Sequence, residues 1–598
     1  MPSASSILDA LDADQRSAAE VLAGPLLIVA GPGTGKTRTL THRLAHLVAT
    51  GAAAAEECLA VTFTRRAAEE MRERLEELLS DEARRLTVTT FHALGLSILR
   101  RERGALGLHR GFRVADARMC LDLAAELFGL PGSRAARLLE ELSRYRRRHL
   151  EADGDSDELA AKLSRYRSAL RDRDLVDFDD LLALPVELLA GQAELREAYR
   201  RRYRHLSIDE YQDIDALQYR LVRLLVSPGG NLCAIGDPDQ SIYRFRGADV
   251  GFFLRFREDY PEARVVQLGR NYRSSRTIVE AAVQAIAPAS LVGRRELSAV
   301  GDATAEPIAV HAAASEAAEA EQVAHAIERL LGGTSYFSLD SGRVAGDEAA
   351  GLSFDDFAVL YRTDAQSAAV IEALERAGIP HQKRSHDRLG ERPGVRQVLA
   401  ELADEGATRP AVRRPGHQAT LPGLVLPVTA RLAAAAERAI AADAEAEPAI
   451  ASALDLLEPL AREHGDDLEG FLAAVALGAE VDAWDPRAER VSLLTLHAAK
   501  GLEFPVVFLV GCAAGLLPLH HAATAAEVDE ERRLFFVGVT RARSRLFLSY
   551  PRRRRWRGRV VDVEPSPFLE DIDEGLLDRS RGVRRRKREA GPRQLSLL

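Results

Sequence analysis

Short apolar runs alternate with helical patterns along most of the chain and form two successive series. The first series lies at 25–30, 58–63, 86–89, 206–209, 232–236 and 265–268, and the second lies at 307–310, 357–361, 491–496, 505–509 and 546–550. Strands of parallel sheets are buried on both faces and appear in a sequence as nearly continuous apolar runs. Helices between such strands are what a parallel sheet requires. The pattern therefore predicts an α/β fold with two parallel sheets.

Two long stretches interrupt these series. Residues 95–205 are rich in Leu, Ala and Arg with helical periodicity, and residues 401–485 are rich in Ala. We interpret both as all-helical insertions into the sheet domains. The predicted organisation is 1–94 with 206–285 as the first domain, 95–205 as its insertion, 286–400 with 486–570 as the second domain, 401–485 as a shortened insertion, and 571–598 as a flexible basic tail.

Composition narrows the class of protein. Hydrophobic residues make up 46% and charged residues 29% of the 598, as is ordinary for a globular protein. The four cysteines form no CxxC pair, so neither a zinc ribbon nor a disulfide framework is indicated. The N-terminal segment has no secretory pattern, and the sequence predicts a cytoplasmic protein.

Charge gives a mixed signal about nucleic acid. The formal net charge of −9 argues mildly against a nucleic-acid partner. Arginine nevertheless clusters at 552–555 and 581–588. Such runs are equally typical of solvated or disordered segments.

A glycine-rich turn follows the first apolar run and opens a predicted helix. This is the context in which a phosphate-binding P-loop is credible, because backbone N–H groups at a helix N-terminus point at phosphate oxygens. Lys36, one of only five lysines, would contact the β- and γ-phosphates, and the Thr37 hydroxyl would bind Mg²⁺. The candidate ATP-binding residues of this turn are Ala30, Gly31, Pro32, Gly33, Thr34, Gly35, Lys36 and Thr37.

An apolar run that ends in Asp209 and Glu210 supplies the matching acids. In P-loop enzymes one such carboxylate holds the metal ion, and a further residue activates the attacking water. We assign Mg²⁺ binding to Asp209 and the role of general base to Glu210. An arginine finger is also required, and the residue pattern alone does not select one among so many arginines.

Ten segments in order resemble the superfamily 1 DNA helicases of the UvrD/PcrA/Rep group. They are Leu11–Gln15, Ala30–Thr37, Ala60–Thr64, Thr90–His92, Asp209–Asp213, Gly236–Gly247, Asn271–Ser274, Leu360–Thr363, Thr495–Phe504 and Glu530–Ala542. The resemblance covers most of residues 1–570 and implies two RecA-like motor domains with helical insertions, a P-loop NTPase fold that hydrolyses ATP between the domains.

The resemblance also assigns roles around the nucleotide. It implies that Gln15 contacts adenine, Tyr272 stacks on the base and Glu503 contacts ribose. It further implies that Gln240 senses the γ-phosphate, and that Arg273 and Arg541 are the arginine fingers.

The implied DNA track consists of side chains that stack on bases or lie in DNA-contacting segments: Phe63, His92, Tyr243, Phe245, His497 and Trp556. Stacking tolerates any base, which suits a motor on single-stranded DNA and at single-strand/duplex junctions. The alternative for each aromatic residue is packing in a core. Tyr243 and Phe245 stand beside Arg244 and Arg246, which favours an exposed loop. Trp556, in the hairpin predicted after the last motif, is the candidate strand-separating pin. The family implies movement in the 3′-to-5′ direction.

The sequence departs from the family at several places. Arg65 replaces a customary Asn, and the 401–485 insertion is shorter than usual and lacks the duplex-binding Gly-Ile-Gly motif. At the C-terminus the peptide Gln594-Leu-Ser-Leu-Leu598 resembles the peptides with which bacterial repair proteins bind the DNA sliding clamp. The candidate clamp-binding residues are Gln594, Leu595, Leu597 and Leu598, and the alternative is an inert tail.

Three functions remain open at this point. The first is an ATP-dependent helicase that unwinds DNA in repair or replication. The second is a clamp-tethered translocase that displaces proteins with little duplex unwinding, which the shortened insertion favours. The third is an ssDNA-binding or scaffold protein with vestigial hydrolysis, and the full set of predicted catalytic residues argues against it.

Overall fold

The structure is a computed structural model. It describes residues 4–148, 157–293, 295–301, 306–332, 351–384, 389–407, 427–478, 489–520, 522, 524–556 and 558–579. The chain divides into two compact units. Unit 1 comprises Met1–Gly31, Gly35–Gly269 and Ser385–Asp485, and unit 2 comprises Pro32–Thr34, Arg270–Arg384 and Pro486–Leu598.

The strands of the described residues, in chain order, are β1 Leu26–Ala30, β2 Cys58–Thr62, β3 Thr87–Thr90, β4 Arg113–Val114, β5 Leu175–Val176, β6 His205–Ile208, β7 Asn231–Gly236, β8 Arg264–Leu268, β9 Arg270–Asn271, β10 Ser298–Ala299, β11 Ile308–Ala313, β12 Phe357–Tyr361, β13 His381–Arg384, β14 Val491–Thr495, β15 Phe504–Leu509, β16 Ala542–Pro551, β17 Arg553–Trp556, β18 Arg559–Asp562 and β19 Leu577–Asp578.

The α-helices are α1 Ala4–Leu8, α2 Ala13–Ala19, α3 Lys36–Ala49, α4 Arg65–Leu79, α5 Phe91–Arg101, α6 Ala117–Phe128, α7 Gly132–Arg148, α8 Asp157–Arg171, α9 Asp180–Gly191, α10 Ala193–Arg202, α11 Ala216–Leu225, α12 Gly251–Leu254, α13 Phe256–Asp259, α14 Arg276–Ile286, α15 Glu316–Leu330, α16 Ser367–Arg376, α17 Pro393–Ala407, α18 Val428–Ala442, α19 Glu447–His464, α20 Leu468–Leu477 and α21 Ala525–Val539.

Unit 1 is built on a six-stranded sheet in the order β3-β2-β6-β7-β1-β8, and all of its strands are parallel. Successive residues of a strand point to opposite faces of the sheet. In β1, Leu27 packs into one core, and Leu26 and Ile28 pack into another. Helices cover both faces, which is why the strands β1, β2 and β7 are almost entirely apolar. The parallel α/β sheet predicted from the apolar runs is confirmed.

The first predicted insertion contains its own small core, formed by α6, α7 and α8. It is not all-helical, because Arg113–Val114 and Leu175–Val176 pair as two short parallel strands. Two-residue strands leave no apolar run in the sequence, so the pattern could not reveal them. The shortened second insertion also has a core of its own, formed by α17 to α20.

Unit 2 contains a seven-stranded parallel sheet in the order β13-β14-β12-β15-β16-β11-β19. The two outermost strands were not predicted: β13 is the polar sequence His-Gln-Lys-Arg, and β19 has only two residues. Because Leu577 pairs with Ile308 of β11, the boundary predicted at residue 571 for the tail is too early, and residues 580–598 lie outside the described part of the structure.

Two other features concern the chain as a whole. All four cysteines are buried and have free thiols. Among the helices of the described residues, none has the length and apolarity needed to cross a bilayer. The cytoplasmic location stays a prediction.

A buried carboxyl group lies inside unit 2, beneath the end of its sheet. Glu319 of α15 accepts hydrogen bonds from the backbone N–H of Gly511 at 2.9 Å and from the Ser549 hydroxyl at 2.6 Å. Burial raises the pKa of Glu319 from its ordinary 4.5 to about 7, although both hydrogen bonds favour the ionised form. The folded protein therefore holds this proton more tightly than the unfolded chain does.

The direction in which stability changes with pH follows from the difference in the pKa of Glu319 between the folded protein and the unfolded chain. The stability contributed by protonated Glu319 is complete below pH 4.5 and is lost as the pH rises through about 7. At about 1.4 kcal/mol per pKa unit, the loss is about 3 kcal/mol. We expect Glu319→Gln, a neutral side chain with an acceptor oxygen for both donors, to unfold at a higher urea concentration than the wild type at pH 8.5 but not at pH 5. The control is Glu321→Gln, which changes an exposed carboxylate on the same helix. Equal pH dependence in wild type and Glu319→Gln would contradict the assignment.

Candidate nucleotide and nucleic-acid sites

The glycine-rich turn between β1 and α3 has the geometry of a phosphate cradle. Gly33 and Gly35 adopt positive φ angles of 69° and 78°, a region that residues with a Cβ rarely enter. A Cβ at Gly35 would lie 2.7 Å from Nε2 of Gln15, which is itself buried. Within the part of the chain that the structure describes, no side chain caps the N-terminus of α3 at Gly35. The first turn of this helix can therefore direct its N–H groups at an anion.

Lys36 and the two predicted catalytic acids lie together in unit 1. The Lys36 ammonium is 3.2 Å from Oε1 of Glu210, and Asp209 Oδ1 accepts a hydrogen bond from the Glu210 backbone N–H at 2.9 Å. Glu210 has a left-handed backbone, with φ 50° and ψ 42°. This conformation costs a non-glycine residue about 1–3 kcal/mol and is commonly found at functional sites. With this backbone conformation the carboxylate of Glu210 lies next to the ammonium of Lys36.

A buried polar chain links Glu210 to Gln240, and its central residue is Gln212. The Gln212 side-chain amide donates to Glu210 Oε2, and its oxygen accepts the backbone N–H of Asp237 at 3.1 Å. Asp237 Oδ2 in turn accepts from Nε2 of Gln240 at 2.7 Å. Sequence reasoning missed Gln212 and Asp237. The signal was available, because two polar residues that follow the ends of buried strands require buried hydrogen-bond partners.

The tip of the glycine-rich turn belongs to unit 2, where it contacts the segment after β8. Asn271 Nδ2 donates to the Pro32 carbonyl at 2.7 Å, and the Tyr272 N–H donates to the Gly33 carbonyl at 2.8 Å. A Cβ at Gly33 would lie 2.7 Å from the Cβ of Arg273, so glycine is required there. Tyr272 is 47% exposed, and the stacking role implied for it stays a prediction.

The two predicted arginine fingers and Glu503 meet around Thr540 in unit 2. Arg273 donates from Nε to Glu503 Oε2 at 2.5 Å and from Nη1 to the Thr540 carbonyl at 3.3 Å. Burial opposes ionisation of Glu503, but the charge and the hydrogen bond of Arg273 outweigh it and lower the pKa of Glu503.

Arg541 is only 1% exposed and is held by the protein itself. Its guanidinium donates to the carbonyls of Val537 and Leu502, and to the Thr540 hydroxyl. No sequence pattern marks Thr540, because its role depends on where the two guanidinium groups lie.

The donors predicted for Mg²⁺ fit that ion. Asp209 supplies a buried carboxylate and Thr37 a half-buried hydroxyl. Mg²⁺ prefers oxygen ligands and usually retains waters and substrate phosphates beside one or two protein groups. Among the described residues, no cluster of three or more His, Cys, Asp or Glu side chains suited to a metal occurs.

A cavity of about 1100 Å³ in unit 1 collects four of the six predicted DNA-contacting residues: Phe63, His92, Tyr243 and Phe245. The ring of Phe63 stacks on Tyr243 at a centroid distance of 5.2 Å, and His92 stacks on Phe178 at 3.9 Å. Seven arginines also line the cavity: Arg65, Arg72, Arg100, Arg101, Arg144, Arg147 and Arg246. Cations interleaved with aromatic rings are what a single nucleic-acid strand requires.

One expectation about this loop is wrong. Tyr243 and Phe245 were expected to share an exposed loop, yet Tyr243 is 2% exposed and Phe245 is 66% exposed. Residues 244–246 form a short 3-10 turn, and the two ring centroids lie 6.2 Å apart with an interplanar angle of 53°. Tyr243 packs on Phe63, which leaves Phe245 as the ring that is open to solvent.

The remaining predicted residues lie elsewhere. His497 is in unit 2, in the turn after β14. The hairpin predicted after the last motif is present, because β17 pairs with β18 in antiparallel register, with Trp556 opposite Arg559. The Trp556 side chain is outside the described part of the structure, and so are Gln594, Leu595, Leu597 and Leu598.

Comparison with known proteins agrees with this geometry. The family model for the UvrD/REP helicase N-terminal domain matches residues 11–261, and the model for the UvrD-like helicase C-terminal domain matches 266–403 and 442–553. The chain is 34% identical to ATP-dependent DNA helicase UvrD1 of Mycobacterium tuberculosis, over 96% of the chain and 86% of that protein. It is 35% identical to UvrD2 of the same organism, over 98% and 85%. Identity to PcrA of Bacillus subtilis is 31%, over 96% and 87%.

The fold and the glycine-rich turn define a P-loop protein with RecA-like parallel sheets. The chain belongs to the UvrD/PcrA/Rep-type helicase family, as the ordered motifs of its sequence predict.

The position of Gln212 between Glu210 and Asp237 can be tested by kinetics. Gln212→Glu keeps an acceptor for the Asp237 N–H but sets a second carboxylate against Glu210. We expect the ATPase kcat at pH 7 to fall about 10- to 100-fold, which corresponds to one lost hydrogen bond to a charged group. The acid limb of the pH profile should move to higher pH, because the added charge disfavours ionisation of Glu210.

The matched control is Gln192→Glu, the same change at an exposed position of unit 1. It should leave both kcat and the pH profile unchanged. A Gln212→Glu protein with reduced kcat but an unmoved pH profile would show that Gln212 does not act on Glu210.

Proposed function

We propose that this protein is an ATP-driven motor that moves 3′-to-5′ along single-stranded DNA and separates strands in DNA repair or replication. The observation that carries the proposal is that one short chain segment, from Gln240 to Tyr243, connects the residues around Glu210 with the arginine-lined cavity. Gln240, at the end of the polar chain from Glu210, is three residues from Tyr243, which lines the arginine-rich cavity. A change at Gln240 on ATP binding or hydrolysis would thus reach the DNA cavity through a short, buried piece of backbone.

The proposed chemistry assigns a task to each group. Lys36 and the N-terminus of α3 bind the phosphates, and Gln15 and Tyr272 bind the base. Glu210 accepts the proton of the attacking water, which requires Lys36 to exchange its contact with Glu210 for one with phosphate. Thr37 and Asp209 would hold Mg²⁺, which would supply positive charge to the phosphate oxygens.

Arg273 and Arg541 stabilise the transition state, and both must first give up hydrogen bonds that they make within unit 2. The exchange of these bonds for bonds to ATP gives the nucleotide a differential affinity for two conformations. Such a difference is what a motor needs to convert binding into movement.

The second candidate is a translocase that displaces proteins from single strands without useful unwinding. The small size of the α17–α20 insertion favours it, and the C-terminal family model leaves residues 404–441 of this region unmatched. Strand displacement on duplexes with a 3′ or a 5′ tail, measured beside removal of a protein bound to single-stranded DNA, separates the two functions and reports direction.

The motor function depends on DNA-stimulated hydrolysis. We expect oligo-dT to raise the steady-state ATPase rate of the wild type several-fold or more. Glu210→Gln should lower kcat by about 10²- to 10⁴-fold, because it removes the general base, while oligo-dT affinity is retained. A wild-type rate that does not respond to oligo-dT would contradict the proposal.

We also propose that the C-terminal peptide Gln594–Leu598 binds the DNA sliding clamp. A basic segment that carries apolar anchor residues suits a pocket on a partner protein. Deletion of Gln594–Leu598 should abolish clamp binding in a calorimetric titration and leave the DNA-stimulated ATPase rate unchanged. Equal clamp affinity with and without the peptide would show that the tail has no such role.

A further inference from the structure

The arginine-lined cavity of unit 1 is partly lined by residues that the family resemblance did not suggest. Besides the RecA-like sheet and its helices, the shortened insertion lines it, through Glu463 and His464 at the end of α19, Gly470, Ala473 and Ala474 of α20, and the following Gly478. The motif-based prediction placed no DNA-contacting residue in 401–485.

Helix α20 presents a small-residue face to the cavity and is fixed at that place. Gly470, Ala473 and Ala474 follow the three- and four-residue spacing of one helical face. Ala473 packs against a cluster that includes Leu96 and Leu181, residues of α5 and α9. The insertion therefore forms a wall of the cavity, and its small side chains leave the space beside it open.

Arg65 joins this wall to the α/β part of unit 1. Its Nε donates to Glu69 Oε1 on the same helix at 2.7 Å, and its Nη2 donates to Glu463 Oε2 at 2.5 Å. Arg65, the first residue of α4, follows Thr64 and stands where the family resemblance implies an Asn. This arginine, which differs from the family pattern, therefore has an ion-pair partner, Glu463, on the shortened insertion.

Glu463 is one of five acidic residues that line the cavity together with the seven arginines. Its side chain is 52% exposed, and that of Arg65 is 19% exposed. A carboxylate and a phosphate bind a guanidinium through the same planar arrangement of N–H donors. With Glu463 in place, Arg65 has less of its charge available to a DNA backbone, and the carboxylate repels an incoming phosphate.

We propose that α19 and α20 form one wall of the single-strand site, and that Glu463 holds the position on Arg65 that a backbone phosphate takes when DNA binds. The proposal rests on the single-strand binding described under the proposed function. Glu463 then acts as a built-in competitor: the strand must displace it, and the wall is released from Arg65 while DNA is bound.

The test compares oligo-dT affinity, by fluorescence anisotropy without nucleotide, among full-length variants. We expect Glu463→Gln to bind about three- to tenfold more tightly than the wild type at low salt, the size expected for a partly exposed ion pair. Arg65→Gln should bind more weakly, and the slope of log K against log salt should fall by about 0.7 because one phosphate contact is lost. The double variant should match Arg65→Gln, since Glu463 acts through Arg65 alone.

The control is Glu458→Gln, which removes the same charge from the same helix where it pairs with Arg462 at 2.7 Å. Its affinity for oligo-dT and its basal ATPase rate should both equal those of the wild type. Weaker or unchanged binding by Glu463→Gln would overturn the proposal, as would an equal gain in affinity when Glu463→Gln is made in the Arg65→Gln protein. If the wild type itself fails to bind oligo-dT, the proposed function fails instead.

Discussion

The carboxylate of Glu210 is held from two sides, by the ammonium of Lys36 and by the amide of Gln212, and the nucleotide site of unit 1 is arranged around it. Each donor comes from a segment that follows a parallel strand: Lys36 after β1, and Gln212 after β6. Parallel strands bring their carboxyl ends to one edge of a sheet, so groups far apart in sequence meet there without long loops. The left-handed backbone at Glu210 is tolerated because both contacts fix the side chain.

Much of the fold and the family of the chain could be predicted from the sequence. Continuous apolar runs predicted the sheet strands, because strands that are buried on both faces are apolar. The ordered motifs predicted the family. The apolar pattern failed where it is physically weak. The polar edge strand β13 carries no apolar run, and two-residue strands are too short to show a period.

Side-chain contacts were harder to foresee than strands. Tyr243 and Phe245 differ by two positions, yet a 3-10 turn buries one and exposes the other, and no local pattern announces that turn. The partners of Gln212 and Arg65 come from residues 25 and 398 positions away. Contacts at such separations depend on the assembled fold, and a single sequence without relatives does not contain them.

Thr540 has a consequence for how the second unit responds to change. Its carbonyl accepts from Arg273 and its hydroxyl accepts from Arg541, so both guanidinium groups are bonded to the residue that ends α21. If this end of α21 is displaced, by a rotation of the helix, by a change at a neighbouring residue or by a ligand, the guanidinium groups of Arg273 and Arg541 shift together. Arg273 and Arg541 are therefore energetically coupled. The losses measured on replacing each of them singly will not sum to the loss on replacing both.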